Sequence, residues 1–186
     1  MKGGFFQPIQ EALEKKYGAG KWLLSTAGSS PYFNYDLIAE KKLDAAEVRR
    51  TAAQAILPSE HVSRVYTWDD LAGGRQSADR FDERVKRGFN SRRSGDLEIV
   101  LEPYWIRGTT VATHGTPYNY DTHIPLVFMG KGIQPGRYYQ HAALNDLAPT
   151  AAALLDLEIP SGSVGRILYE MFTPTPVSTR PRSVAK

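Results

Sequence analysis

Short β-type runs and amphipathic helices alternate along this chain, and that order restricts its possible architectures more than any single residue does. "QPIQEALEKKY" places Ile9, Leu13 and Tyr17 at helical spacing, and Gly18 and Gly20 then stop the helix. "WLLST" follows as a short strand, and "GSSPYFNYDL" reads as a turn or loop. A helix is predicted from Ala45 to Ile56, with Asp44 as N-cap, Glu47 at the capping-box spacing and Pro58 beyond its end. "HVSRVYTW" alternates as a half-buried strand does, and "ADRFDERVKRGF" carries Phe81, Val85 and Phe89 on one helical stripe. In "GDLEIVLEPYWI", Leu97, Ile99 and Leu101 alternate with Glu98, Val100 and Glu102. "IPLVFMG", Ile124 to Gly130, is a continuous apolar run of the kind buried on both faces of a sheet. Asn145 or Asp146 caps "LAPTAAALLDL", whose Pro149 falls in the first turn, where a missing N–H costs little. The alternation predicts an α/β fold with a mostly parallel sheet flanked by helices.

A chain of 186 residues has the length of one domain rather than two. That domain is expected to span residues 1–172, with 36–95 as a candidate inserted βαβ-type subdomain. Residues 173–186 hold three prolines and no apolar periodicity, which predicts a disordered tail. No apolar run approaches the roughly 20 residues of a membrane-spanning helix, so no membrane partner is expected. "MKGGFFQPIQEALEKK" has no secretion-signal core, because Gln7, Pro8, Gln10 and Glu11 interrupt its apolar residues; the compartment stays open. With no cysteine there is no disulfide and no thiolate site, so any metal must be held by His, Asp or Glu. The net charge of +3 is modest. Between Arg75 and Arg93 the arginines interleave with Asp79, Asp82 and Glu83, the pattern of a solvated helix face, which argues against a nucleic-acid surface.

Candidate chemistry concentrates in "ATHGTPYNYDTHIPLVFMG", which holds two of the four histidines, His114 and His123, together with Asp121. Taken alone, a histidine in a Gly/Thr/Pro loop is more often a hydrogen-bonded surface residue than a ligand. His61 and His141 lack even that context and are expected to be exposed.

"THGTPYNYDTHIPLVFMGKGIQPG", continued by "LNDLAPTAAALLDLEIP", resembles the C-terminal end of the alkaline phosphatase superfamily, in its zinc-dependent alkaline phosphatase and phosphodiesterase-like branch. "RSGDLEIVLEPYW" and "LIAEKKLDAAEVRR" are similar to preceding segments of the same branch, so the resemblance runs from about Lys21 to Tyr169. It implies an alkaline-phosphatase-like fold, two zinc ions in the full-length family and a phosphate ester substrate for the parent protein. His114, in the word Thr113-His114-Gly115, would be a zinc ligand. Imidazole suits that metal, and glycine lets the backbone pass close to metal and substrate. Asp121 and His123 match loop-fixing or outer positions, His123 pairing with Asp121 or with a backbone carbonyl.

The resemblance also implies residues that this chain lacks. A dinuclear hydrolase of that branch takes most of its ligands, and a Thr or Ser nucleophile, from segments upstream of this region. None of the four histidines follows an aspartate directly or at the Asp-x-x-x-His spacing. The chain is therefore expected to be an incomplete, C-terminal portion of a metal-dependent phosphoric ester hydrolase, inactive alone, with open sheet edges that favour self-association. The alternatives are a non-catalytic α/β interaction module, or half of a hydrolase completed in trans by another chain. Preference among monoesters, diesters and sulfates is not encoded here.

Overall fold

The computed structural model describes residues 4–73, 78–108 and 111–173. They fall into two compact units, Met1–Ile124 and Pro125–Lys186. Arg75, Thr109, Thr110 and all of the expected tail except Thr173 lie outside the described residues.

The core of the first unit begins where two helices meet. Helix α1 (Gln7–Tyr17) has Pro8 in its first turn, where no N–H is needed, and buries Ile9 and Leu13. Gly18, at φ 92°, ends it, and its amide donates to the Glu14 carbonyl at 2.8 Å. Beyond it lie β1 (Leu23–Ala27), β2 (Ser30–Phe33), α2 (Tyr35–Glu40) and α3 (Ala45–Ile56). Val48, Ala52 and Ile56 recur every fourth residue on α3, which packs them against α1. Asp44 caps α3 by accepting from the Ala46 amide at 3.0 Å. Glu47 does not complete a capping box; its carboxylate instead accepts from Lys16 Nζ at 3.0 Å. Trp22, Phe33, Leu97 and Ile99 close the same core.

The sheet differs from the sequence expectation. Part of the segment read as a loop is β2, which pairs antiparallel with β1 through a tight turn at Gly28 and Ser29, Gly28 taking φ 55°. Then follow β3 (Val62–Thr67), α4 (Trp68–Ala72), α5 (Arg80–Gly88) and β4 (Leu97–Leu101). Strand β4 pairs antiparallel with β3. Thr67 leaves β3 directly opposite Leu97, where β4 begins, so the intervening helices return the chain to the end it left. Parallel pairing would need a crossover to the opposite end. Among the described residues there are thus two two-stranded antiparallel sheets and no parallel pair.

Strands β2 and β4 approach closely: a Cβ on Gly95 would lie 2.7 Å from the Pro31 carbonyl oxygen, so only glycine fits there. In this region Arg49 and Asp96, 7% and 4% exposed, form a buried polar network. Arg49 makes two parallel bonds to Asp69, from Nε at 2.7 Å and from its second amino nitrogen at 2.9 Å. Its other amino nitrogen donates to the Tyr35 hydroxyl at 2.7 Å, and that hydroxyl donates to Asp96 at 2.5 Å. Asp96 also accepts from the Phe33 amide at 2.8 Å. Burial, reinforced by Asp96, pushes the Tyr35 hydroxyl up to about 12.

In the second unit a 3-10 turn, Leu144–Asp146, leads into α7 (Leu147–Leu154); the numbering counts α6 (Asn119–Thr122), which belongs to the first unit. Asp146 does not cap α7 with its side chain. Its carboxylate accepts instead from the Ala143 amide at 2.9 Å and the Arg166 amide at 2.8 Å. The run predicted as a buried strand, Ile124–Gly130, has no helix or strand, and Val127 and Met129 are 84% and 97% exposed. A run apolar on both sides holds as a strand only between pairing neighbours, and none of the described residues pairs with it.

Candidate functional site

The loop carrying His114 is built on the end of β4. The Tyr118 hydroxyl donates to the Leu101 carbonyl at 2.8 Å, and Phe81 of α5 packs edge-on against the Tyr118 ring at 5.0 Å. Tyr118, Tyr120 and Tyr104 then stack in series, with centroids 5.6 and 4.6 Å apart. Arg84 of α5 donates to the Pro117 carbonyl at 2.9 Å and to Asn119 Oδ1 at 2.8 Å. Asp121, in α6, accepts from the Thr116 amide at 2.9 Å and the Thr116 hydroxyl at 2.6 Å. These bonds, with a smaller contribution from His114, hold its carboxyl below the usual carboxylate range. Gly115 takes φ 99°, a backbone conformation that disfavours any side chain.

Thr113, His114 and Gly115 are exposed to solvent along one wall of a cavity of about 540 Å³. Ser29 from the β1–β2 turn, Ser30 from β2, Glu98 and Val100 from β4, and Trp105 and Arg107 from the segment after β4 line much of the rest. Asp121 is not among the lining residues; it sits behind the loop, bonded to Thr116. His123 is exposed, not buried, and does not line the cavity; its backbone amide ends α6 by donating to the Asn119 carbonyl at 2.9 Å. Asp121 bonds to Thr116 in place of the expected partner His123.

Three cavity features were not singled out from sequence. Glu98 accepts from Ser30 Oγ at 2.5 Å, and its burial pushes the carboxyl up. Arg107 lies over the Phe5 and Phe6 rings at 4.0 and 4.7 Å and donates to the Gly28 carbonyl at 2.8 Å; burial lowers its pKa. The third is the face that Trp105 adds, which brings in a histidine expected to be exposed. His61 is half-buried and stacks on Trp105 with ring centroids 3.2 Å apart. Its Nδ1 is 3.1 Å from Glu102 and its Nε2 is 3.2 Å from Glu60. No periodicity signals that stack, because His61 takes φ 63° and lies far from Trp105 in sequence. His141 is exposed, as its context predicts.

Among the described residues no group of three or more His, Asp or Glu side chains is placed to hold a metal ion. A zinc site draws about three or four ligands from the protein, so the donors present do not by themselves fit that ion. The cavity does place an imidazole, a guanidinium, hydroxyls and one carboxyl around a common space.

Comparison with known proteins shows the class to which the chain belongs. The chain is 32% identical over 165 residues to a calcium-transporting ATPase of Myroides odoratus, covering 87% of this chain and 30% of that protein. It is 32% identical over 181 residues to alkaline phosphatase PafA of Elizabethkingia meningoseptica, covering 92% of this chain and 32% of that one. A match of 32% identity to alkaline phosphatase PhoV of Synechococcus elongatus covers 75% of this chain and 25% of that protein. No family model matches. In fold, a crystal structure of a PafA mutant superposes with a TM-score of 0.81 at 30% identity, over 90% of this chain and 32% of PafA. Wild-type PafA gives 0.77 at 30% identity, over 91% and 33%. The chain belongs to the alkaline phosphatase superfamily and corresponds to its C-terminal portion. Within that superfamily it is similar in sequence and fold to PafA, and it spans about a third of the length of the first curated relatives it matches.

Proposed function

We propose that this chain is the C-terminal part of a metal-dependent phosphoric ester hydrolase, that His114 is one of its zinc ligands, and that it does not hydrolyse esters by itself. The observation that carries the reading is the close match in fold to an alkaline phosphatase over 90% of this chain but only 32% of the enzyme. The sequence supports it: one histidine stands in the Thr-His-Gly word, while the paired aspartate–histidine spacings of a complete ligand set are absent. The Asp121–Thr116 bonds and the Tyr118 anchor support the loop that carries His114 at the cavity wall. When bound, a pair of zinc ions would supply Lewis-acid stabilisation of the phosphoryl oxygens. The nucleophile and the remaining ligands would come from a further segment, in the same polypeptide or supplied in trans.

Zinc content tests this reading. Alone, the chain should retain less than one zinc ion per molecule after dialysis. Associated with the complementary N-terminal part of a PafA-like phosphatase, it should hold about two, and His114→Ala should remove one. Two tightly held ions on the chain alone, or zinc content in the complex indifferent to His114→Ala, would refute the assignment.

A further inference from the structure

A second cavity of the first unit, about 360 Å³, shares the segment after β4 with the first but borders neither the Thr113–Gly115 loop nor the β1–β2 turn. Phe5, Leu101, Trp105 and Ile106 give it a wall of carbon. Trp105 stacks on His61, yet it remains 47% exposed, so indole surface stays open beside the cavity it lines. Arg107 supplies the charge. Its guanidinium carbon lies 4.0 Å from the centre of the Phe5 ring, and Phe5 borders this cavity and not the first, which puts the charged head itself at this wall. Among the described residues Arg107 has one hydrogen bond, to the Gly28 carbonyl at 2.8 Å, and no carboxylate within ion-pair distance, so most of its N–H donors are uncommitted. Glu60 is the one carboxylate on the lining; its side chain is 73% exposed and lies 3.2 Å from His61 Nε2, so water and salt screen it from an anion inside. A cavity of carbon with one unpaired cation suits a ligand with an apolar body and one anionic end. A planar guanidinium pairs in two-pronged fashion with a carboxylate, and indole and phenyl faces favour a flat ring.

We propose that this second cavity is a binding site for an aromatic carboxylate, with the ring against Trp105 and Phe5 and the carboxylate on Arg107. The site is independent of the hydrolase reading: none of Thr113, His114 and Gly115 borders it, and binding there needs no metal.

The test titrates the full chain, in metal-depleted buffer at neutral pH and fixed ionic strength, with 2-naphthoate, with its uncharged analogue 2-naphthamide and with decahydro-2-naphthoate, which keeps the charge and carbon count but is not flat. Calorimetry and amide chemical shifts are the readouts. Naphthoate should bind saturably and about tenfold more tightly than the amide, as a charge-assisted hydrogen bond implies, and more tightly than the decahydro analogue. The amide signals of Phe5 and His61 should move, and those of Thr113, His114 and Gly115 should not. Arg107→Met should weaken naphthoate alone, whereas Trp105→Ala should weaken both naphthoate and naphthamide. The comparison among the three ligands needs no substitution, so it stands even where a variant does not fold. No saturable naphthoate binding, equal affinity for either analogue, or shifts centred on Thr113–Gly115 overturns the proposal.

Discussion

A loop that presents an imidazole at a cavity wall must be held from behind, and here Asp121 bonded to Thr116 does the holding. Its pKa is depressed in the folded protein, so its contribution is complete above the unfolded value of about 4 and is lost as pH falls through the still lower folded value. Asp121→Asn should therefore speed hydrogen exchange at the Thr116 amide at neutral pH, and the difference from wild type should vanish in acid. Gly115 constrains the same loop differently. No atom lies within 4 Å of an added Cβ, so Gly115→Ala meets only backbone strain from φ 99°. It should cost about 1–3 kcal/mol of local stability, readable as faster amide exchange in the loop, with the core transition unchanged. The words Thr113-His114-Gly115 and Asp121 were singled out in the sequence only through the resemblance of their segment to a known family, a signal carried by local residue order. Arg107, Glu98 and the His61–Trp105 stack were not, because pairing of β3 with β4 and a turn at Tyr104 bring them together from separate segments.

Helices were easier to read than sheets, for a physical reason. α1 and α3 carry their own signals: apolar residues three or four apart, a capping aspartate, a stop glycine. A strand's partner and direction lie outside the strand, so the local pattern of "GDLEIVL" locates β4 without showing that it runs against β3. The same limit explains Ile124–Gly130, whose apolar pattern specifies a buried strand only where neighbours exist. At this scale the Arg49–Asp96–Tyr35 network joins α2, α3, α4 and the start of β4, with charges almost removed from water. Asp96→Ala or Arg49→Met should each lower unfolding stability by about 3–5 kcal/mol in urea, because each leaves a buried charge poorly compensated. The double variant should lose less than the sum of the two, since the second change removes the orphaned partner.

For the whole molecule, the match to a third of an alkaline phosphatase frames both stability and activity. The exposed apolar run with Val127 and Met129 predicts self-association of the chain at micromolar concentrations, visible in sedimentation velocity. Replacing both residues with lysine should shift the population toward monomer. A wild-type chain that stays monomeric at all concentrations would show that the run is covered within the chain itself. In the proposed function His114 is one ligand of a site this chain cannot complete alone. Hydrolysis of p-nitrophenyl phosphate by the purified chain in excess zinc tests it most directly. No rate above buffer is expected, for wild type and His114→Ala alike; turnover by the chain alone that disappears in His114→Ala would refute the proposed role.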